Sequence, residues 1–365
     1  MSNIGPPREG VPSPTEVHDF FSFCVEKQQQ EGDSGGISES WGRQFVVEYM
    51  SDSKLTGFQS LLNFWHERYG APGVEFMGLH EENAAVTQVH FMPYQVEMVT
   101  LLDDNSLHMW TLRGHKGLSE LLEVGRFMLT GPPGAPPSVT RVTSVLAHSS
   151  GELLLLGTEG GHLFVVEVPG FRELEERNIS LDQVSNSVPG DYIGRRNLEH
   201  VEALHENPTN PSQVVIGFGR GLMVIWDLDK QCFIQHIPAT QQLESMWWTE
   251  DGSYILSSHS DGSYCRWRVG GWDDDDEEEE KSDIPYGHFP CKAITKIVQL
   301  PTAEGPPFLL FSGGMPRASY GDRHCITVIH SKTHVALDFT SRIIDFFVIR
   351  DGPEHTGSGI HILYA

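Results

Sequence analysis

A histidine, a serine and an aspartate stand in a row at His259-Ser260-Asp261, the side-chain types that acyl transfer uses as base, nucleophile and orienter. Gly217-Phe218-Gly219-Arg220-Gly221 has the glycine density of a loop that cradles phosphates. Asp273 to Glu280 is a run of eight consecutive acids, able to steer a basic surface. Each of these chemistries needs an element that positions it. The three triad-like residues fall in a tight turn, where short polar side chains ordinarily hydrogen-bond the backbone. The glycine cluster is followed by Leu222 to Trp226, an apolar run that reads as a strand. A dinucleotide loop needs a helix there, so that its N-terminus meets the pyrophosphate. The acid run repels itself and reads as an exposed inter-strand loop. Its plain role is solubility; its functional role is contact with a basic partner.

The other reactive residue types are scattered. The 18 histidines include no H-E-x-x-H and no carboxylate at ligand spacing. Cys24, Cys232, Cys265, Cys291 and Cys325 are widely spaced with no C-x-x-C, which points to reduced thiols and away from a disulfide framework or structural zinc. Gly357-Ser358-Gly359 sits in a polar tail, not at a strand-to-helix elbow. No residue is assigned as catalytic, cofactor-binding or metal-ligating, and no cofactor is expected. Fifty acidic against 25 basic side chains leave a formal net charge of −25 with no basic stripe, which argues against nucleic acid as a partner. Apolar runs such as Leu153 to Leu156 and Phe308 to Phe311 are far below the roughly 18 residues of a membrane helix. Met1 to Pro7 lacks the charged and apolar regions of a signal peptide. The expectation is a soluble, intracellular protein.

The elements that carry these residues repeat. From about Val86, short apolar runs alternate with Gly, Asp, Asn and Ser turns, and long helical periodicity is absent. Leu101 to Trp110, Gly157 to Val166, Gly217 to Trp226 and Ser258 to Trp267 align on one template of strand, tight turn and strand. Each ends on a large apolar anchor: Trp110, Val166, Trp226 and Trp267. The anchors are 56, 60 and 41 residues apart, and the last spacing is that of a WD-type blade of four strands. Pro132 to Pro137 and Phe171 to Arg196 supply the insertions that the longer spacings need. A fifth, distorted unit comprises Ile294 to Leu300, Phe308 to Phe311 and Ile326 to His330, and Arg342 to Phe347 opens a sixth. The fold class is therefore all-β, a partial WD-type β-propeller behind a short leader that is partly disordered or helical. Val17 to Lys27 and Gly57 to Tyr69 are its candidate helices, and Gln44 to Tyr49 a candidate strand. The domain reading is a leader over 1–68, a partial propeller over 69–347 with an acidic loop at 273–280, and a polar tail over 348–365. Terminal units of an open array are its weakest, so fraying over Ile326 to Phe347, exposure of Phe346 and Phe347, and self-association are expected.

The residues between the repeats resemble the lethal giant larvae family of cell-polarity proteins. The resemblance rests on Tyr69 to Phe76, Ser257 to Tyr264, Pro285-Tyr286-Gly287, Phe289 to Ile294, Phe311 to Cys325 and Leu337 to Phe347. The related tomosyns share the His-Ser-Asp-Gly-Ser turn, while their counterpart of the loop from Met315 to His324 looks different. The resemblance covers about Tyr69 to Phe347 and implies a non-enzymatic scaffold in apical-basal polarity and exocytosis. It implies syntaxin-type SNAREs, non-muscle myosin II and the Par-6/atypical protein kinase C complex as partners, and a link to small-GTPase regulation. It also implies a cytoplasmic protein with cortical or basolateral plasma-membrane association, peripheral and without a transmembrane segment. Residues 1–68 do not match the opening blade, and the sequence departs from the family after Phe347. The chain thus reads as a variant or truncated form, and no response to atypical protein kinase C is expected. Two other readings stay open: a truncated product without partners of its own, and an enzyme using a propeller channel.

The candidate partner-facing loop is Ser312 to Cys325, with Arg317, Tyr320 and Arg323 as its contact residues. Exposed arginine and tyrosine are the side chains that most often anchor interfaces.

Overall fold

Short β-favouring runs separated by residues that tolerate positive φ form hairpins, and the computed structural model is made of them. It describes residues 84–93, 97–115, 118–189, 199–239, 241–270, 281–287, 289–302, 305–317, 323–340 and 342–350, with the separate strands 21–24, 44–49, 74–79 and 360–364. The chain divides into two compact units, one of residues 1–104, 108–124 and 347–363, the other of residues 105–107, 125–346 and 364–365.

In the first unit, β1 (Phe21–Cys24), β2 (Gln44–Tyr49) and β3 (Val74–Leu79) form an antiparallel sheet in that order. The helix expected over Val17 to Lys27 is a strand within the described residues: Phe21 and Phe23 pair with Tyr49 and Val47. The Phe-Ser-Phe alternation has period two, and a paired neighbour decides in its favour. Gly57 to Tyr69 lies outside the described residues. The first blade has β4 (Val86–Phe91), β5 (Glu97–Leu102), β6 (Leu107–His115) and β7 (Leu118–Phe127) side by side. Its core gathers Met98 and Trp110 against Val86, Val89, Phe91 and Leu121.

The second unit holds four more blades, each with its strands in chain order. They are β8 (Val142–Ala147), β9 (Leu153–Thr158), β10 (Leu163–Glu167) and β11 (Arg172–Glu173); β12 (Val201–Glu206), β13 (Gln213–Phe218), β14 (Leu222–Asp227) and β15 (Cys232–Pro238); β16 (Leu243–Trp248), β17 (Tyr254–His259), β18 (Tyr264–Arg268) and β19 (Lys281–Asp283); and β20 (Ile294–Leu300), β21 (Phe308–Gly313), β22 (His324–His330) and β23 (Thr333–Phe339). Five four-stranded antiparallel blades make the chain an all-β propeller protein.

The first strands β8, β12, β16 and β20 neighbour one another, and each pair of adjoining blades shares a core. Leu155 and Val165 meet Ile216, Val224 and Trp226; Val215, Met223 and Ile225 meet Trp248, Ile255 and Trp267; Leu256 meets Ile294, Ile297 and Phe311. Strand β14 is buried at every residue because its alternate side chains enter two different cores. Blades close up where side chains vanish. A Cβ on Gly157 would stand 2.5 Å from Val201, and one on Gly217 would stand 2.4 Å from Leu243. The insertion before β12 carries a short helix, α1 (Leu181–Ser187), opened by a capping box between Ser180 and Gln183. Val184 and Val188 from this insertion are buried in the core shared by the second and third blades.

After the fifth blade, β24 (Phe346–Arg350) crosses the boundary expected after residue 347 and pairs with β25 (Ile360–Tyr364), which lies within the expected polar tail. Phe346, expected at the surface, has 0% of its area exposed. Asp345 explains the difference: its Oδ1 accepts from Lys296 Nζ of β20 and, at 2.7 Å, from the Phe346 amide. The Lys296 ammonium also lies 5.4 Å from the Phe346 ring centroid, a cation–π approach. A polar clamp on the innermost strand thus holds this phenylalanine down. The side chain of Phe347 lies outside those described.

Candidate partner-binding surface

Two of the triad-like residues, His259 and Asp261, are built into a hydrogen-bonded chain in the fourth blade; Ser260 stands outside it, its amide donating to Gln242 O at 3.1 Å. Trp267 Nε1 donates to Ser257 Oγ at 2.7 Å, Ser257 Oγ meets His259 Nε2 at 3.0 Å, and His259 Nδ1 meets Ser263 Oγ at 3.0 Å. Ser263 Oγ ends the chain by donating to Asp261 Oδ1 at 2.6 Å. Ser257, His259 and Ser263 are all buried, so no hydroxyl within this chain of bonds faces solvent, while the half-buried Ser260 is not hydrogen-bonded into it. Burial holds the His259 imidazole below its ordinary pKa, partly opposed by the Asp261 charge. The glycine cluster is likewise a hairpin turn, with β14 following where a phosphate loop would start a helix.

The four anchors lie inside. Trp110, Val166, Trp226 and Trp267 are 3%, 0%, 3% and 4% exposed. Two of them bond a hydroxyl ten residues earlier in sequence, Trp110 Nε1 to Thr100 Oγ1 at 3.0 Å and Trp267 Nε1 to Ser257 Oγ. Trp226 has Ile216 at the corresponding position, and its Nε1 has no hydrogen-bond partner among the described residues.

The loop after β21 is fastened at its start. Gly313 and Gly314 both have positive φ, 89° and 73°, and a Cβ on Gly313 would collide with the Ala293 carbonyl oxygen at 2.1 Å. This double glycine turns the chain against the segment before β20. Lys292 N donates to Met315 O at 2.9 Å, Arg317 N to Pro290 O at 2.9 Å, and Arg317 Nε to Cys291 O at 3.1 Å. Cys291 is buried beneath, and burial raises its thiol pKa, which suits packing and not reactivity. What this lattice holds up to solvent is Phe289, 71% exposed, beside the exposed Arg317. Arg323 is exposed at the far end of the loop, 3.7 Å from Asp338 Oδ2. Tyr320 and the acidic run 273–280 lie outside the described residues. Of the three sequence-assigned contact residues, Arg317 is thus joined to Phe289, which sequence reasoning missed. A phenylalanine reads as core; only the flanking His288 and Pro290 hinted at a turn.

A second feature is repeated from blade to blade. Every first strand has a register shift at the same point, and the skipped residues are Thr87, Thr143, Glu202, Glu244 and Thr295. The threonines bond within and between blades: Thr143 Oγ1 donates to Val201 O of the next blade at 2.7 Å, and Thr295 Oγ1 meets Ser312 Oγ of its own blade at 2.8 Å. In the third and fourth blades the residue is an acid. Glu202 meets His200 Nε2 at 2.6 Å, and Glu244 has its pKa raised by burial and by the neighbouring Glu202 charge. A bulge breaks the strand period, so no alternation rule marks these positions in sequence. Among the described residues no group of histidine, cysteine and acid could hold a metal ion, and no helix is long and apolar enough to cross a membrane.

Comparison with known proteins bears on this geometry. Over 289 residues, 79% of the chain, the sequence is 76% identical to a zebrafish (Danio rerio) protein named LLGL scribble cell polarity complex component 2. The matched part of the chain is lethal giant larvae family sequence. The human protein of the same name is 57% identical over 283 residues, and the Drosophila melanogaster lethal(2) giant larvae protein 31% identical over 289. A family model described as LLGL2 matches residues 282–360, which takes in Phe289, the double-glycine loop and strands β20 to β24. The chain spans only 28% of the length of the zebrafish and human relatives and 23% of the Drosophila one.

Proposed function

We propose that this chain is a non-enzymatic scaffold of apical-basal cell polarity that engages protein partners through its propeller loops. The observation that carries the reading is the pinned, solvent-facing pair Phe289 and Arg317. The Arg317 amide and guanidinium are tied to Pro290 O and Cys291 O, next in sequence to the exposed Phe289, so part of the ordering that docking would require is already made. The names of the most similar relatives, components of a scribble cell polarity complex, point the same way. The finer reading follows the family resemblance: partners among syntaxin-type SNAREs, non-muscle myosin II and the Par-6/atypical protein kinase C complex, with a role in exocytosis and in small-GTPase regulation. The corresponding location is cytoplasmic, at the cortical or basolateral plasma membrane.

Pull-downs with purified syntaxin, myosin II tail and Par-6/kinase complex test it. Phe289→Ala and Arg317→Ala trim side chains at the surface, and each should weaken at least one of these interactions about tenfold or more. Binding that is unchanged in both variants would remove this surface from the reading. Failure of the unmodified chain to bind any of the three would overturn the scaffold itself.

A further inference from the structure

The outer strands of the second unit protect their edges unequally. In the second and fourth blades they are short, Arg172–Glu173 and Lys281–Asp283. In the third blade, Gln235 of β15 is engaged by the end of β18 and the residues after it, donating to Arg268 O and accepting from Gly270 N. Among the described residues, strand β23 has neither defence. It runs seven residues on the rim of its sheet, and Thr333 to Asp338 are all exposed. Val335 and Leu337, 46% and 38% exposed, lie on one face of it. A long edge with apolar side chains is a template for another strand.

The sequence of β23 specifies which strand. Written Thr333-His-Val-Ala-Leu-Asp-Phe339, it complements itself when turned antiparallel about Ala336. Val335 of one copy then faces Leu337 of the other, twice, and covers the exposed apolar pair. On the opposite face His334 meets Asp338, also twice, an arrangement that persists whether the imidazole donates neutral or charged. Arg323, 3.7 Å from Asp338 Oδ2 within the same chain, adds a cation beside that acid. We propose that two copies of this chain associate edge to edge through β23, as an isologous pair whose twofold axis passes Ala336. No bulge interrupts the β22–β23 ladder, so the edge is regular along its length. The net charge of −25 opposes approach at long range, and salt therefore strengthens the pair.

Cysteine scanning reads the register directly. In a Cys24→Ser, Cys232→Ser background, which removes the exposed thiol of the described residues and the one in the leader, Ala336→Cys brings two Cα atoms to about 4.5–5.5 Å across the axis, within the disulfide range. Mild oxidation should yield a covalent dimer at 336, and little at 335 or 337, whose own counterparts lie diagonally away. Val335→Lys, a surface change, should lower the dimer fraction in sedimentation velocity about tenfold or more. The exchanged variant His334→Asp with Asp338→His should retain it, since each acid again faces a histidine. A monomer at every concentration over about a hundredfold range, or equal cross-linking at 335, 336 and 337, would overturn the proposal.

Discussion

The third and fourth blades close on tryptophans at equivalent positions, and they secure them by different means. Trp226 and Trp267 are both almost fully buried, and each fills a core shared with one neighbouring blade. Trp226 packs in an apolar cluster, and its indole nitrogen goes unbonded among the described residues. Trp267 instead heads the chain of Ser257, His259, Ser263 and Asp261. One position in the repeat can therefore be served by shape alone or by a polar chain. The polar solution fixes the turn as well as the ring, because Asp261 also accepts from the Ser263 amide at 3.0 Å. Its weakness is that a buried hydroxyl loses its partner when any member is removed.

Truncation tests the common role first. Trp226→Ala and Trp267→Ala should each cost about 3–5 kcal/mol in denaturant unfolding, since both empty a shared core. Equal mild losses under about 1 kcal/mol would mean that neither ring anchors its blade. A subtler change separates the two. Trp226→Phe removes an unpaired N–H and some volume, and should cost less than about 1.5 kcal/mol. Trp267→Phe leaves Ser257 without its donor and should cost about 1–3 kcal/mol more than that. Parity between the two phenylalanine variants would show that the polar chain adds nothing. The smallest effect is on pH. Because burial depresses the pKa of His259, the folded state takes up its proton later than the unfolded state does. Stability is fully present above the unfolded value of about 6.5 and falls as acid protonates the unfolded chain first. His259→Gln should flatten part of that decline in melts between about pH 7 and pH 5, and a Trp226 variant should not. His162, His205 and His236, also depressed by burial, contribute in the same direction.

The contrast also marks what was legible beforehand. The anchors at 110, 166, 226 and 267 and the turns before them follow from turn-forming residues at a fixed offset from a large apolar residue, signals local to one hairpin. The structural reading of His259-Ser260-Asp261 followed from the same offset. Residues whose environment is made by distant segments were not legible. Phe346 is buried because Lys296, 50 residues earlier, holds Asp345 in place, and nothing near Phe346 in sequence shows it. Phe289 is exposed because Pro290 and Cys291 are spoken for by Arg317 across a loop. The leader strand Phe21–Cys24 needed a partner at Tyr49, too far away for a periodicity rule to weigh.

Strand β14 sends Val224 and Trp226 into one core and Met223 and Ile225 into the next. Its tolerance of insertions and deletions should therefore be the lowest of any strand in the second unit. Deleting one residue there turns both sets of side chains around at once, so two seams between blades are mis-keyed by a single codon. The same deletion in β23, which is exposed on both faces, mis-keys none within its own chain. A scan of single-residue deletions would trace two-sided burial across the propeller without any substitution being made.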